Sequence, residues 1–406
     1  MSTLPNGVRV ISETVAQVRS VSLGIWVVAG SRHETPSEAG LCHFIEHMVF
    51  KGTATRSARD IAEAIDSVGG LMDAFTDKEY TCFYVRLLSE HLPLALDVLS
   101  DMILNPSFDP QELEREKNVI LEEIKRHEDS PEDRVHDLFA ATLWPNHPLG
   151  APVIGTWDTV SSFNADTLRE FMGRWYGADQ ILVAAAGDVE HENLVAQVAS
   201  HLGGRATGTG QWTQHETQSV PGRAGLPRET EQVHLCYGGP GLPHRAEERY
   251  ALAVLDTAFG GGMSSRVFQE IRENRGLAYA IGSYYVSYHE GGAYAVYAGT
   301  SPDSFQQVLS LVDQEANRLC QEGLRPEELE RTKQQIKGAL LLGLESMSDR
   351  MTRLAKTELN LGRVLGVDEV LENLEHVTGE DVVAIAQRVL NPAQMALATI
   401  GPTPSG

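Results

Sequence analysis

The 406-residue sequence is short of positive charge and of cysteine, and it has no long apolar run. Lys and Arg number 33 against 56 Asp and Glu, which gives a formal charge of −23 at pH 7. Because so negative a chain repels phosphate groups, we expect no binding to nucleic acid or to an anionic membrane surface. Neutral or basic substrates suit this charge better.

No apolar stretch approaches the ~20 residues that a membrane-spanning helix needs. The first ten residues, MSTLPNGVRV, resemble neither a signal peptide nor an Arg-rich transit peptide, so we expect a cytoplasmic protein. The cysteines, Cys42, Cys82, Cys236 and Cys320, are far apart and form no CxxC pair. Their spacing argues against a disulfide framework and against a zinc site made of cysteines alone.

The two halves of the chain repeat each other. The segment PQELEREK at 110–117 matches PEELERTK at 326–333, and a second group of matches near the end of each half has nearly the same offset. Chance resemblance between charged helices is the alternative explanation for either match alone. Together they predict a duplicated domain, with an N-terminal domain at 1–205, a linker at 206–228 and a degenerate C-terminal domain at 229–406.

The periodicity of apolar residues predicts strands mixed with long helices. Residues 21–28, 80–87 and 293–298 have the composition of strands, whereas 92–104, 110–127, 303–320 and 326–344 have helical periodicity. This pattern predicts an α+β fold, in which each of two homologous domains has a mostly antiparallel sheet covered by helices on one face.

The sharpest local signal is the segment His43-Phe-Ile-Glu-His47. On a helix, residues four apart lie on one face within ~5–6 Å, close enough for both imidazoles to bind one metal ion. Glu46 lies beside the same position without having to ligate, which suits the general base of a metallohydrolase. The alternative interpretation is a pair of surface histidines on an amphipathic helix.

A third ligand is needed, because catalytic zinc typically binds three protein ligands and water. The predicted helix at 110–127 carries Glu116 and Glu123, which are two turns apart and therefore share a face. A solvated acidic face is the usual interpretation of a Glu-rich helix. The repeat favours a site instead, because it has Thr332 and Ala339 at these positions and also lacks the two histidines.

The motif His43-x-x-Glu46-His47, followed 76 residues later by Glu123, resembles the inverted zinc motif of the pitrilysin/insulinase (M16) metallopeptidases. The similarity covers nearly the whole chain and is greatest to the bacterial branch that is similar to mitochondrial processing peptidase. It implies the LuxS/metallohydrolase-like fold of that family, with His43, His47 and Glu123 as zinc ligands. It also implies that Glu46 is the catalytic base and Glu116 a supporting acid.

The resemblance assigns a role to the second half as well. Members of the family bind substrate between an active domain and a degenerate copy, which contributes an Arg and a Tyr seven residues apart. Arg272 and Tyr279 match that spacing, and both side chains can hold a substrate carbonyl or a developing oxyanion. From the residues alone, an exposed helix charge and a core strand residue are the alternatives. Arg275 is the alternative to Arg272.

Residues 69–76, GGLMDAFT, resemble the family's strand that runs beside the substrate, with Asp73 where an Asn is common. A sheet-edge strand near the metal would bind an extended peptide by adding it as another strand. Asp cannot donate a hydrogen bond as an amide does, and its charge favours a basic substrate. An ordinary turn is the alternative interpretation of Gly69 and Gly70.

We therefore expect a zinc-dependent endopeptidase that hydrolyses peptides or unfolded polypeptide segments, basic ones among them, with one Zn²⁺ per chain. The alternatives are a non-catalytic or partner-dependent subunit of an M16-type complex and a peptide-binding scaffold with structural zinc. Because larger members of the family have four domains, two chains of this length are expected to pair as a homodimer or as a heterodimer with a related M16 subunit.

Overall fold

A computed structural model of the protein describes residues 1–210 and 217–402. The described chain forms two compact units, each built from three separate stretches of sequence. The first unit contains Met1–Lys125, the described part of Ala151–Thr213, and Leu342–Val364. The second contains Arg126–Gly150 and the described parts of Gln214–Leu341 and Leu365–Gly406.

Strands and helices are numbered in chain order. The strands are β1 (Ser2–Thr3), β2 (Arg9–Thr14), β3 (Ser20–Val27), β4 (Leu71–Thr76), β5 (Thr81–Leu88), β6 (Ile181–Gly187), β7 (Arg223–Pro227), β8 (Val233–Pro240), β9 (Ala278–Ser287), β10 (Gly292–Thr300) and β11 (Ala396–Gly401). The helices are α1 (Leu41–Val49), α2 (Ala58–Asp66), α3 (Leu92–Leu104), α4 (Pro110–Asp129), α5 (Pro131–Leu143), α6 (Trp157–Ser162), α7 (Ala165–Trp175), α8 (His191–Leu202), α9 (Arg249–Phe259), α10 (Phe305–Glu322), α11 (Pro326–Gly343), α12 (Met347–Leu361), α13 (Val367–His376) and α14 (Gly379–Val389).

The first unit has a six-stranded sheet in the order β1-β2-β6-β3-β5-β4. Strands β2 and β6 pair in parallel, and every other neighbouring pair in this sheet is antiparallel. The central strand β3 is buried at seven consecutive residues, Val21–Val27. A strand covered on both faces is apolar at nearly every position, which explains the sequence SVSLGIWV. Strand β4 lies at the edge.

Helices cover both faces of this sheet. One face packs on residues of α1, α3, α7 and α8 in a continuous apolar core. The other face packs on α12, where the fully buried Trp26 contacts the rings of Phe75 and Tyr80 and the sulfur of Met351. The prediction that helices lie on one face is therefore incomplete. Helix α12, which comes from a part of the chain remote in sequence, covers the other face.

The second unit repeats this design with a five-stranded sheet in the order β7-β11-β8-β10-β9. Strands β7 and β11 pair in parallel, and the other neighbouring pairs are antiparallel. One face of the sheet packs on α9, α10 and α14. The other packs on α5, through Val135, Phe139 and Leu143.

The α+β class with mostly antiparallel sheets covered by helices is confirmed. The division of the sequence at 1–205, 206–228 and 229–406 stays a prediction, because the compact units are defined by contacts and take α5 with later residues and α12 with earlier ones. Of the predicted linker, 211–216 lie outside the described residues, and its last part contains strand β7.

Candidate metal centre

The histidine motif lies on α1, whose apolar face is fully buried. The buried side chains include Leu41, Phe44, Ile45 and Met48. This burial fixes the rotation of the helix, because the opposite, polar face has to carry His43, Glu46 and His47. The motif is therefore helical, as its spacing predicts.

A carboxyl group from outside α1 caps the helix. Gly40, at the N-cap, has φ 92° and no side chain with which to bind the first backbone N–H groups. Instead, Glu34 accepts hydrogen bonds from the N–H groups of Gly40 and Cys42 over 2.8 and 2.6 Å. Burial raises the pKa of Glu34 to about 8, although both N–H groups act in the opposite direction. No local sequence pattern marks Glu34 as a cap.

Three side chains converge beside the polar face of α1. The Nε2 atoms of His43 and His47 lie 3.9 and 3.8 Å from Oε2 of Glu123 on α4. Ligand atoms of all three lie within 4.8 Å of one another, and no other group of three His, Cys, Asp or Glu in the described chain is this close. The structure thus brings together the three residues that the sequence singles out.

The donor set fits zinc. Two imidazole nitrogens and a carboxylate oxygen are ligands of catalytic zinc, and ligands ~2.0–2.2 Å from one ion lie roughly 3.4 Å apart in a tetrahedron. Shifts of a few tenths of an ångström would bring the observed 3.8–3.9 Å into that range. Burial lowers the pKa of His43 to about 4, so its imidazole is neutral near pH 7, as a metal ligand has to be.

Glu116 orients one of the two histidines. Its Oε1 accepts a hydrogen bond from Nδ1 of His47, and its Oε2 lies 2.8 Å from Nζ of Lys51. Burial alone would raise the pKa of Glu116, but these two partners lower it. With Nδ1 as the donor, Nε2 of His47 keeps its lone pair, and this atom points towards Glu123. The sequence pattern points to Glu116 but not to Lys51.

A residue of the sheet holds the Glu46 side chain in place. Its Oε2 accepts a hydrogen bond of 2.5 Å from Oγ1 of Thr76, at the end of the edge strand β4. Burial raises the pKa of Glu46, whereas the bond from Thr76 and the nearby His47 lower it. Thr76 is a second residue that the sequence does not reveal, because the hydroxyl comes from a strand thirty residues away.

Asp73 lies on the same edge strand. It is exposed, and its carboxylate accepts hydrogen bonds from its neighbour's N–H, that of Ala74, and from the hydroxyl of Tyr84 on β5. Residues 71–76 form a strand, as the resemblance implies, and Gly69, with φ 69°, lies in the turn just before it.

Arg272 and Tyr279 belong to the second unit and contact each other. The guanidinium carbon of Arg272 lies 4.9 Å from the centre of the Tyr279 ring and 4.7 Å from that of Phe268. Tyr279 is 77% exposed, so it is not the core residue that its strand position suggests. Nε of Arg272 also lies 3.8 Å from Oε1 of Glu273, and the neighbouring Arg275 forms an ion pair with Glu270.

Two family models and several known proteins match this sequence. Residues 9–157 match the model of the insulinase family, peptidase family M16, and residues 162–336 match that of the peptidase M16 inactive domain. An uncharacterized zinc protease of Bacillus subtilis, YmxG, is 44% identical, with coverage of 99% of this chain and 98% of the relative. An uncharacterized zinc protease of Streptomyces coelicolor is 43% identical over 99% of this chain and 89% of its own.

Solved structures show the same fold at lower identity. A peptidase M16 inactive-domain protein from Pseudomonas fluorescens superposes with a TM-score of 0.93 at 20% identity, over 99% of this chain and 98% of that one. A protease from Helicobacter pylori superposes with a TM-score of 0.91, also at 20% identity, with the same coverage of both chains.

The fold thus has two α+β units, and the first carries a cluster of two histidines and a glutamate. The chain belongs to the M16 (insulinase) peptidase family, and the predicted resemblance is confirmed. The names of its relatives as zinc proteases agree with the zinc expected from the donor set. Within the described residues, every helix is too short or too polar to cross a membrane.

Proposed function

We propose that the protein is a zinc-dependent endopeptidase that hydrolyses peptides or unfolded polypeptide segments. The observation that carries this proposal is the convergence of His43, His47 and Glu123 within 4.8 Å beside Glu46. These three residues would hold one zinc ion per chain. When bound, zinc supplies a Lewis acid that polarises a scissile carbonyl and makes water more acidic.

Glu46 acts as the general base in this proposal. Its carboxylate takes a proton from the attacking water and returns it to the amine that leaves, as one positioned carboxylate can do in both steps. Thr76 donates a hydrogen bond to Oε2 of Glu46, so Oε1 is the oxygen proposed to take the proton. Glu116 and Lys51 act on His47, not on the substrate.

The edge strand β4 supplies the binding surface for substrate. An extended peptide adds to it by backbone hydrogen bonds, which tolerate many side chains. The exposed Asp73 on this strand favours a basic residue in the substrate. Arg272 and Tyr279 contribute to substrate binding from the second unit, a role supported by the match to the family's spacing and by the exposure of Tyr279.

Two chains are proposed to pair, as a homodimer or as a heterodimer with a related M16 subunit. A non-catalytic or partner-dependent subunit is the alternative to an enzyme that acts alone.

The test is cleavage of a quenched fluorescent basic peptide of roughly 10–20 residues by purified protein, by chelator-treated protein and after zinc is restored. Cleavage that is lost to the chelator and returns with zinc supports the peptidase. A zinc-loaded protein that cleaves no peptide contradicts it and favours the partner-dependent subunit.

A further inference from the structure

A cavity of about 370 Å³ lies at the start of strand β4, at the opposite end from Thr76. Its lining includes apolar, charged and small polar residues, and six of the ten are Val18, Leu71, Leu88, Met347, Arg86 and Glu345. All six belong to the first unit. Leu71 is 61% exposed and Leu88 46% exposed. Large aliphatic side chains that face solvent around a concavity mark a binding site for an apolar group.

Strand β4 joins this cavity to the base. In the described part of the chain, β4 pairs with β5 on one side, and its other edge carries no strand. Thr76 at the far end donates a hydrogen bond to Glu46. Thr76 lies five positions after Leu71, which at ~3.3 Å per residue is roughly 17 Å. One extended peptide on this edge would therefore reach both places.

The alternation of side chains decides which of them face the cavity. Met72 and Ala74 pack against the helix-covered core that contains α1. Leu71 and Asp73 therefore point to the opposite face, together with their cross-strand partners Arg86 and Tyr84. A peptide residue directly opposite Leu71 would have its side chain on that same face, beside the cavity.

We propose that this cavity is a substrate subsite that takes an apolar side chain about five residues from the scissile bond. The inference rests on the proposed peptidase function, because Glu46 fixes where the bond lies. The occupant is an extended peptide, since the unpaired edge of β4 continues from the base to the cavity. The peptide residue opposite Asp73 lies two positions nearer the scissile bond, and its side chain is on the same face as that of the residue opposite Leu71. The preferred substrate therefore has an apolar residue opposite Leu71 and a basic residue opposite Asp73.

The test uses the E46Q variant, which is expected to hold peptides without cleaving them. A set of fluorescent peptides of roughly 14 residues, long enough to span the edge, carries one Leu that moves from residue to residue through a polar sequence. Cleavage by the wild type locates the bond in each peptide. Binding to E46Q is expected to be about tenfold tighter when Leu lies about four to six residues from the bond on one side.

Variants identify the cavity as the source of this preference. The preference is expected to fall below about twofold in the E46Q/L71S protein and to weaken in E46Q/L88S. Met263→Ser is the matched control, because Met263 is 76% exposed and lies in the second unit. This control is expected to leave the preference unchanged, and thermal unfolding checks that each variant folds.

The outcomes separate the two proposals. Equal binding for every Leu position, or a preference that survives both L71S and L88S, overturns the subsite whether or not peptides are cleaved. A preference that depends on Leu71, together with no cleavage by the zinc-loaded wild type, overturns the peptidase function and supports the cavity as a peptide-binding site.

Discussion

His47 donates a hydrogen bond from Nδ1 to Oε1 of Glu116 over 2.8 Å. The second oxygen of Glu116 pairs with Lys51, just beyond the end of α1. The Glu116 carboxylate thus contacts both His47 and Lys51, and it sets the tautomer of His47, a proposed zinc ligand. By contrast, Nδ1 of His43 is buried and has no such partner in the described residues. The two histidines are therefore supported differently.

Replacement of Glu116 by Gln is expected to weaken zinc binding by about 10- to 100-fold, because outer partners of this kind orient a ligand and increase its basicity. Competition with a chelator of known affinity measures the change. Glu114→Gln is the matched control, because Glu114 lies on the same helix with a largely exposed side chain. Equal zinc affinity in E116Q and E114Q would contradict the orienting role.

Replacement of Thr76 by Val keeps the size of the side chain and removes the hydroxyl that holds Glu46. We expect kcat to fall by about tenfold or more, because a general base has to be positioned within hydrogen-bond reach of its proton. Zinc content should not change, because a threonine hydroxyl is not one of the side-chain groups that usually bind zinc. Thr76→Ser restores the hydroxyl and is expected to recover most of kcat. A T76V protein with normal kcat would show that Glu46 needs no such support.

Removal of the Glu34 carboxyl group is expected to destabilise the first unit. Glu34→Ala leaves the N–H groups of Gly40 and Cys42 buried without their acceptor, at a cost of about 2 kcal/mol. Urea unfolding measures the loss, and Glu63→Ala, at an exposed position, serves as the control. Because Glu34 caps the helix that carries both histidines, zinc affinity should fall too. An E34A protein as stable as E63A would exclude the capping role.

The lowered pKa of Asp101 predicts that the protein loses stability in acid. Burial would raise the pKa of this carboxyl, but bonds from Thr53, Asn105, Thr55 and Arg56 lower it to about 2. A group whose pKa is lower in the folded state stabilises the protein above its unfolded pKa, near 4, and this contribution is lost as the pH falls towards 2. The contribution is about 2 kcal/mol.

The comparison of wild type with Asp101→Asn isolates this contribution. The free energy of unfolding of the wild type should exceed that of D101N at pH 6, and the difference should shrink as the pH falls from about 4 to about 2. Asp166→Asn is the control, because the Asp166 side chain is 87% exposed. A difference that stays constant over this pH range would contradict the assigned shift.

The sequence predicts the parts of the site that depend on local spacing. His43, Glu46 and His47 share one face because a helix has a fixed period, and Glu116 and Glu123 share another for the same reason. The internal repeat then links the two helices, because the copy lacks both sets of residues. Their convergence in space agrees with that argument.

The supporting residues depend on tertiary packing and have no local pattern. Thr76 reaches Glu46 because an edge strand passes beside α1, and Glu34 caps α1 from the loop that precedes it. The position of α12 on the first sheet likewise depends on contacts such as that between Trp26 and Met351, which are 325 residues apart. The helices predicted from periodicity do not include α12, and periodicity does not say which sheet a helix covers.

The central claim is that His43, His47 and Glu123 hold zinc while Glu46 carries out proton transfer. The most direct test measures zinc per chain and kcat/KM on the same preparations of wild type, Glu46→Gln and Glu123→Gln. The account predicts about one zinc in wild type and in E46Q, a loss of kcat/KM of about a thousandfold in E46Q, and weak zinc binding in E123Q. Turnover by E46Q at the wild-type rate, or undiminished zinc affinity in E123Q, would contradict it.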